Sequence, residues 1–415
     1  MSRRIALAYS GGLDTTIAIP WLREQFAADV VAVAVDVGQR EDLAAAVARA
    51  TLAGASSVDV VDATETFAEE FIGPAIQANA LYEGVYPLST ALARPLIVRH
   101  LVDAARVHGA DAVAHGCTGK GNDQVRFEAG IAALDPELEV LAPARTWGMT
   151  REEEVDYALA RGLPLTVSRG RIYSVDENLW GRSVEGGRLE DPAVEPTEDA
   201  YAWTTSPLLA PGEPGWVEIE FEEGLPVAAA GETELRDIVR ALNVLGGHHG
   251  LGRIDHIESR VVGIKSREVY ECPAATILIA AHRALEALSL PKDLLRFKRG
   301  VEDRFSELVY DGLWFTPLRE ALQAFIRSSQ ARVSGQVAMK LYKGFLSIAG
   351  RESPHSLYDA RLATYGSGDT FDAAAAAGFV QLWGLPSKVW ARAGRRRFVA
   401  APKEVDAGAA PVPAT

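Results

Sequence analysis

Short apolar stretches alternate with longer amphipathic stretches along the first 165 residues of the chain. Strands are predicted at residues 5–9, 30–37, 57–61, 112–115 and 139–142, and helices at 15–26, 41–53, 64–80, 92–108 and 152–161. Such alternation is typical of an α/β fold, in which a parallel sheet carries helices on both faces. Ligands of these sheets collect where the strands end, at the carboxyl edge. We therefore expect the loops after Ala8, Val35 and Ala114 to face one crevice.

A second region begins near Pro164, where proline, glycine and glutamate become more frequent. Residues 216–221 alternate between apolar and polar side chains, which predicts a half-buried antiparallel strand. Residues 337–341 and 345–350 predict a hairpin, and residues 318–327 predict an amphipathic helix before it. The pattern favours an α+β domain. Residues 400–415 are rich in alanine and proline and are predicted to be disordered.

The first predicted strand runs into a Tyr-Ser-Gly-Gly segment at residues 9–12, and a helix is predicted to begin near Asp14. The two glycines let the backbone approach a ligand closely, and the N–H groups at a helix start attract anions. The hydroxyls of Ser10, Thr15 and Thr16 add donors, while Asp14 is suited to cap the helix or to help hold a phosphate-bound cation. The common Gly-x4-Gly-Lys-Ser/Thr loop does not occur in the chain. These residues predict a phosphate site of another kind, and the alternative is a tight turn with a helix cap.

Residues 115–128 form a second polar constellation, which reads His-Gly-Cys-Thr-Gly-Lys-Gly-Asn-Asp-Gln-Val-Arg-Phe-Glu and follows another predicted strand. Its glycines expose backbone donors for phosphate or adenosine, and its polar side chains are able to bind a zwitterionic amino acid. Asp123 would pair with an ammonium group, and Arg126 or Thr118 with a carboxylate. The alternative interpretation is a solvated turn with an Arg–Asp ion pair on its helix.

The composition disfavours several classes of function. With 42 basic and 56 acidic residues the net charge is −14, which argues against binding to nucleic acid or to an anionic membrane. Cys117 and Cys272 are the two cysteines, and His248, His249 and His282 show no metal-ligand spacing, so neither a disulfide framework nor a metal site is predicted. We expect a cytoplasmic protein, because the N-terminal apolar run is too short for a signal peptide and no segment is long enough to span a membrane.

Several segments, in order along nearly the whole chain, carry a resemblance to a known family. They are residues 8–15, 86–95, 115–128, 173–183, 252–260, 263–271 and 350–358. The first reads Ala-Tyr-Ser-Gly-Gly-Leu-Asp-Thr, and the fourth reads Tyr-Ser-Val-Asp-Glu-Asn-Leu-Trp-Gly-Arg-Ser. Together they resemble the argininosuccinate synthase family, which belongs to the ATP pyrophosphatase (PP-loop) superfamily.

The resemblance implies an adenine nucleotide α hydrolase-like domain at residues 1–165 and a synthetase and multimerisation domain at 166–360. A C-terminal oligomerisation segment at 361–399 would precede the disordered tail at 400–415. The implied reaction is the ATP-dependent ligation of citrulline and aspartate to argininosuccinate, which releases AMP and pyrophosphate through a citrullyl-adenylate in arginine biosynthesis. The resemblance also implies Mg²⁺ bound through the phosphates of ATP, and a homotetramer.

The family's binding residues fall on matching positions of this sequence. For ATP the matching positions are Ala8, Tyr9, Ser10, Gly11, Gly12, Leu13, Asp14, Thr15, Thr16, Val35 and Gly116. For aspartate they are Thr118, Asn122 and Asp123, and for citrulline they are Tyr86, Asn122, Arg126, Ser174, Ser183, Glu258 and Tyr270. Asp36, next to Val35, is also expected near the ribose.

The chain departs from the family at two positions near the citrulline residues. Ala91 stands where many members have a serine that contacts citrulline, and Ser89 replaces a common glycine. The adjacent Thr90 is expected to supply a hydroxyl to citrulline instead. Losing a hydrogen bond to a charged group costs about 1.5 to 3 kcal/mol of binding free energy if no other group replaces it. If Thr90 does not replace the missing serine hydroxyl, the alternative is that the protein acts on a different substrate.

No side chain is an obvious covalent nucleophile or dedicated base. We expect catalysis through positioning and through stabilisation of charge on the phosphates, with Asp14, Asp123 and Arg126 as candidate catalytic residues. One alternative is another adenylating ATP pyrophosphatase, such as a tRNA-modifying enzyme or an amidotransferase synthetase. The acidic charge and the lack of a catalytic cysteine pair disfavour sulfur transfer to tRNA, and Met1-Ser2 offers no N-terminal nucleophile for glutamine hydrolysis. The other alternative is a regulator that binds ATP without turnover.

Overall fold

The computed structural model describes residues 3–40, 42–164 and 173–395. The chain divides into two compact units, Met1–Leu357 and Tyr358–Thr415, and each is described by itself. The domain boundaries expected at residues 165, 360 and 399 remain predictions. The tail expected to be disordered, residues 400–415, lies outside the described residues.

The predicted parallel sheet is confirmed in the first unit. Its strands are β1 (Arg4–Ala8), β2 (Asp29–Asp36), β3 (Ser57–Asp62), β4 (Ala112–Ala114) and β5 (Glu139–Leu141). They lie in the order β3-β2-β1-β4-β5, and every neighbouring pair is parallel. The chain builds β2 and β3 on one side of β1 and then crosses to place β4 on the other side. This reversal creates a crevice at the carboxyl ends of β1 and β4, where ligands of such sheets bind.

Helical segments connect and flank the strands of this sheet. In chain order they are α1 (Leu13–Phe26), α2 (Leu43–Leu52), α3 (Thr64–Phe67), α4 (Gly73–Gln77), α5 (Ser89–His108), α6 (Asp123–Leu134), α7 (Pro143–Thr146) and α8 (Arg151–Ala160). The single helix expected over residues 64–80 is interrupted by a π-helical turn at Ala68–Ile72, where the Gly73 N–H bonds to the Ala68 carbonyl. Because Pro74 has no N–H to donate, the regular α-helical ladder cannot continue through it, and the wider turn lies just before it.

The remainder of the first unit contains two four-stranded antiparallel sheets. Their strands are β6 (Ser174–Asn178), β7 (Gly181–Glu185), β8 (Gly215–Glu222), β9 (Leu225–Ala229), β10 (Arg253–Ser259), β11 (Lys265–Glu271), β12 (Gly335–Tyr342) and β13 (Phe345–Glu352). The strand orders are β10-β11-β7-β6 and β13-β12-β8-β9. Val217, Ile219 and Phe221 are buried while the residues between them are exposed, which confirms the predicted alternation. The predicted hairpin is β12-β13.

Four longer helices belong to this region, namely α9 (Leu235–His248), α10 (Pro273–Ser289), α11 (Lys292–Tyr310) and α12 (Pro317–Ser329). Two 3-10 turns lie at Gly187–Glu190 and Glu198–Ala200. The amphipathic helix expected at residues 318–327 is α12, and its buried residues include Gln323 and Ile326. At the end of α11, Tyr310 bonds to Asn122 of the parallel-sheet region, and Tyr270 of β11 stacks on Tyr86 of the same region.

The Tyr358–Thr415 unit contains α13 (Ala360–Ala363), α14 (Ala373–Trp383) and α15 (Leu385–Arg395). The carboxylate of Asp372 caps α14 by accepting the N–H of Ala374. Large apolar side chains, among them Phe379, Trp383 and Trp390, are exposed on these helices. Across the described part of the chain, none of the helices combines the length and the apolar character needed to cross a membrane.

Candidate active site

The predicted phosphate loop connects the end of β1 to the start of α1. Gly11 has a φ of 75°, a conformation that favours glycine. Gly12 is the N-cap of α1 and provides no capping side chain, so the N–H groups of the first turn are suited to an anion. The hydroxyls of Ser10 and Thr15 lie 3.2 Å apart beside this turn. Asp14 lies inside the first turn of α1, so the expectation that it caps the helix is wrong.

Two residues of this loop take up contacts within the protein. Thr16 is buried, and its hydroxyl lies 3.1 Å from that of Tyr9, so its side chain supports the loop from behind. Asp14 forms an ion pair with Arg151 of α8, and Arg151 lies 3.1 Å from Glu154. Burial and the neighbouring charge of Asp14 raise the pKa of Glu154 to about 7.

The loops after β2 and β4 reach the same place. Val35, near the end of β2, and Gly116, after β4, both line the cleft that contains the phosphate loop. A Cβ on Gly116 would lie 2.8 Å from Cγ2 of Thr15, so glycine allows the two loops to approach closely. The carboxylate of Asp36, expected near the ribose, accepts the N–H of Gly38 at 2.8 Å.

Asp123, at the start of α6, lies between two guanidinium groups. Its carboxylate accepts a hydrogen bond from Nε of Arg94 at 2.9 Å and another from Nη1 of Arg126 at 2.8 Å. Burial acts to raise the pKa of Asp123, but the two arginines outweigh burial and lower it to about 2. The carboxylate is therefore ionised at neutral pH and already paired. A substrate ammonium group at this position has to share Asp123 with Arg94 or displace it.

Arg94 was not singled out by the sequence analysis. It lies on α5 and joins Asp123 to Asp176 of β6, with Nη2 lying 2.5 Å from the Asp176 carboxylate. Both charged partners lie far from Arg94 along the chain, so spacing gives no direct indication of the contact. The signal that pointed to it was its place within residues 86–95, one of the segments that carry the family resemblance.

Glu258 of β10 is enclosed by tyrosine hydroxyls. One carboxylate oxygen accepts the hydroxyl of Tyr270 at 2.7 Å, and the other accepts the hydroxyl of Tyr310 at 2.7 Å. The Tyr270 ring stacks on that of Tyr86 with centroids 4.1 Å apart. Tyr310 was also missed, because its position at the end of an amphipathic helix is typical of a core residue.

Three hydroxyl-bearing residues expected near citrulline, Tyr86, Thr90 and Ser183, are in contact with one another beside Tyr270. The hydroxyl of Tyr86 accepts the N–H of Thr90 at 2.9 Å, and the hydroxyls of Thr90 and Ser183 lie 3.4 Å apart. Thr90 lines the cleft, whereas Ala91 is fully buried in the core. A hydroxyl is thus present at the cleft beside the position where many family members have serine.

One cleft of about 1610 Å³ gathers nearly all of the predicted site residues. Its lining includes Ala8, Tyr9, Ser10, Gly11, Gly12, Leu13, Asp14, Thr15, Val35, Gly116, Thr118, Asn122, Asp123, Arg126, Tyr86, Thr90, Ser174, Ser183, Glu258 and Tyr270. Among the predicted residues, the lining leaves out Thr16 and Asp36. The crevice at the carboxyl edge of the parallel sheet therefore continues into the β10-β11-β7-β6 sheet.

A cluster of charged residues that lines the cleft was not foreseen. Arg260 pairs with Glu185 and lies 2.9 Å from Glu268. Burial, together with the charges of Glu258 and Glu185, raises the pKa of Glu268 to about 8. Several carboxylates and guanidinium groups thus line the part of the cleft beyond the phosphate loop, as a site for zwitterionic ligands requires.

The fold and the cleft together define an ATP-dependent ligase that acts on amino acids. A glycine-rich loop at a helix start faces an α/β crevice, and a polar chamber with opposed charges adjoins it. Residues 4–164 match the family model described as the arginosuccinate synthase N-terminal HUP domain, and residues 173–390 match the arginosuccinate synthase C-terminal domain. The chain belongs to the argininosuccinate synthase family.

Curated relatives named argininosuccinate synthase match nearly the whole chain. One from Synechococcus sp. (strain JA-3-3Ab) is 56% identical over 396 residues, which cover 95% of this chain and 98% of the relative. Another from Dehalococcoides mccartyi (strain ATCC BAA-2266 / KCTC 15142 / 195) is 53% identical, covering 94% of this chain and 97% of the relative. A third, from Dictyoglomus turgidum (strain DSM 6724 / Z-1310), is 53% identical with 94% and 98% coverage. The predictions of family, fold class and ligase are confirmed.

Proposed function

We propose that this protein joins citrulline to aspartate with ATP, giving argininosuccinate, AMP and pyrophosphate in arginine biosynthesis. The observation that carries the proposal is the single cleft in which the phosphate loop adjoins Asp123, Arg126 and Glu258. ATP would occupy the loop and the ends of β2 and β4. The two amino acids would occupy the chamber beyond it, where the shared residue Asn122 lines the cleft.

In the first proposed step the ureido oxygen of citrulline attacks the α-phosphate of ATP. A new phosphorus–oxygen bond forms, and the bond between the α-phosphate and pyrophosphate breaks, which gives a citrullyl-adenylate. The hydroxyls of Ser10 and Thr15 and the N–H groups at the start of α1 would stabilise the charge on the phosphates. Arg126 would hold the citrulline carboxylate, and Glu258 its ammonium or ureido N–H groups.

In the second step the amine of aspartate attacks the ureido carbon, and AMP leaves with the oxygen that came from citrulline. The amine must lose a proton, and Asp123 is a poor acceptor because its pKa is about 2. We assign the proton to the phosphate of the departing AMP, because Asp14 is itself paired with Arg151. Thr118, Asn122 and Asp123 would orient aspartate for this attack, so catalysis comes from alignment of the reactants.

Mg²⁺ is proposed to enter with ATP, bound through phosphate oxygens, where it reduces their negative charge. Within residues 3–40, 42–164 and 173–395, no group of three or more acidic, histidine or cysteine side chains is arranged to hold a metal ion. Asp14 lines the cleft at the phosphate loop and suits a role beside a phosphate-bound ion. Asp14 would therefore stand beside an ion that the nucleotide carries.

We also propose a cytoplasmic homotetramer. Support for assembly comes from the apolar side chains Phe379, Trp383 and Trp390, which are exposed on α14 and α15. The two cysteines, Cys117 and Cys272, are free, which suits a reducing compartment. Light scattering of the full chain, compared with a chain shortened after residue 357, tests whether these helices carry the contacts between copies.

The function is tested by pyrophosphate release from the purified protein with ATP and Mg²⁺. Citrulline and aspartate are added singly and together, and products are identified by mass. Citrulline-dependent release, with argininosuccinate appearing only when aspartate is also present, supports the proposal. Tight ATP binding without release in any combination would instead identify the regulator that sequence analysis left as an alternative.

A further inference from the structure

Tyr310, the last residue of α11, connects two residues that the proposed function assigns to citrulline. Its hydroxyl accepts a hydrogen bond from Nδ2 of Asn122 at 2.7 Å and donates one to Oε1 of Glu258 at 2.7 Å. Asn122 comes from the parallel-sheet region and Glu258 from the β10-β11 hairpin. The hydroxyl therefore sets the distance between groups from separate parts of the first unit.

The hydrogen-bond pattern fixes the orientation of both partners. The carbonyl oxygen of Asn122 accepts the N–H of Val261 at 2.9 Å, so its NH₂ group must face Tyr310. One N–H of that amide is used by Tyr310, and the other can serve a ligand. Glu258 receives Tyr270 on its second oxygen, so its carboxylate is held at both ends. Without the Tyr310 hydroxyl, each of these two buried groups loses a defined partner.

The ring of Tyr310 is itself held firmly and also supports Arg126. It stacks on Tyr82 with centroids 3.5 Å apart and planes 2° apart. The guanidinium of Arg126 lies 4.9 Å from the ring centroid, and its Nε donates to the Tyr310 carbonyl at 2.9 Å. A Cβ on Gly312 would lie 2.6 Å from Cα of Arg126, so the end of α11 packs tightly against α6.

We infer that Tyr310 is a positioning residue for citrulline, which acts through Asn122, Arg126 and Glu258 without contacting the substrate. The inference rests on the proposed function, because those three residues are assigned to citrulline there. Tyr310 is absent from the lining of the cleft, whereas the three residues it contacts belong to it. Burial and the Glu258 carboxylate raise the pKa of Tyr310 well above its ordinary value, so it stays a donor throughout the working pH range.

The test is the variant Tyr310→Phe, which keeps the ring and the main-chain carbonyl and removes only the hydroxyl. A hydrogen bond to a charged group is worth about 1.5 to 3 kcal/mol, so kcat/KM for citrulline should fall about 10- to 100-fold. The loss should appear mainly as a higher KM for citrulline. ATP binding without citrulline should match the wild type, because the Tyr310 hydroxyl bonds to Asn122 and Glu258 and not to the phosphate loop.

The matched control is Tyr82→Phe. Tyr82 belongs to the same aromatic stack, but its hydroxyl donates to the Ser259 carbonyl and contacts neither Asn122 nor Glu258. Its KM for citrulline should stay within about twofold of the wild type. If both variants raise this KM equally, the effect comes from general packing and the inference is wrong.

A double-variant cycle with Glu258→Gln tests whether Tyr310 acts through that carboxylate. Removing the hydroxyl in the Glu258→Gln background should cost clearly less than in the wild type, and additive losses would overturn the inference. In Tyr310→Phe alone, the buried carboxylate of Glu258 loses one hydrogen-bond donor, which can lower the stability of the variant. The Glu258→Gln background removes that charge, so the effect of the Tyr310 hydroxyl can still be measured there if Tyr310→Phe alone unfolds at a low temperature. Failure of the proposed function is a separate outcome, because the wild type would then release no pyrophosphate with citrulline.

Discussion

Lys298 is the buried cation on which the stability of the helical region should depend most. Its side chain is almost fully buried, and its ammonium lies 2.7 Å from the Gln77 carbonyl, 2.6 Å from Glu302 and 2.9 Å from Glu286. Asn79 donates from one Nδ2 to both carboxylates at 2.7 Å. Lys298→Met keeps a long apolar side chain and removes the charge, so the two acids face each other without a cation.

The expected loss follows from the charge that remains. Burial acts to raise the pKa of Glu286, but His282 and Lys298, together with hydrogen bonds from Gln330 and Lys298, hold it below its ordinary value. Removing one partner of a buried ion pair costs about 3 to 5 kcal/mol, because an uncompensated charge stays in the interior. A carboxyl group that has lost its cation can take up a proton as the pH falls. The loss should therefore be largest at pH 8 and smaller at pH 5.5.

The assay is denaturant unfolding at both pH values. The control Lys292→Met removes an exposed lysine from the same helix and should change the free energy of unfolding by less than about 0.5 kcal/mol. The double variant Lys298→Met with Glu302→Gln restores the charge balance and should recover much of the loss. A loss below about 1 kcal/mol at pH 8, or a double variant no more stable than the single one, would refute the reasoning.

Three further predictions concern the cleft and a residue beside it. Thr118→Val should raise the KM for aspartate about 10-fold, because it removes an exposed hydroxyl that is proposed to bind a charged group of the substrate. The control Thr118→Ser keeps the hydroxyl and should have a KM near that of the wild type. An unchanged KM for the valine variant in steady-state assays contradicts the aspartate assignment. Because Glu154 holds its proton up to a pH of about 7 when folded but loses it near 4.5 when unfolded, its contribution makes stability fall as the pH rises between these values. Glu154→Gln should remove that fall, and equal differences between pH 5 and pH 8 in variant and wild-type unfolding would count against it. Gly116→Ala places a Cβ 2.8 Å from Thr15 and should raise the KM for ATP about 5- to 100-fold. A KM for ATP equal to that of the wild type would show that the loop adjusts to the added Cβ without loss of binding.

Local patterns were sufficient for the parallel sheet. Each predicted strand lies within one residue of the observed strand at either end, because central strands of such sheets are continuous apolar runs bounded by turns. The π-helical turn at Ala68–Ile72 was not predicted, since it depends on how one proline interrupts a ladder that otherwise reads as helix. The strands β6, β7, β10 and β11 were also not predicted individually, because their short segments are rich in charged residues whose burial depends on pairing.

The candidate site also has a part that the local sequence predicts and a part that it does not. The glycine loop follows a strand directly, so its suitability for phosphate can be predicted from adjacent residues. The positions of Arg94 and Tyr310 depend on partners far along the chain. The spacing of such residues in the sequence does not predict that they are in contact.

The sequence alone determined the α/β order of the first region, the phosphate loop and the set of polar residues that resembles a known family. Those features depend on neighbours a few residues apart, through periodicity, turns and the start of a helix. Only the tertiary structure decided that Asp123 is shared by two arginines, that Thr16 faces away from the cleft and that Tyr310 joins Asn122 to Glu258. Hydrogen bonds and ion pairs act over a few ångströms, and only folding brings such distant segments within that range.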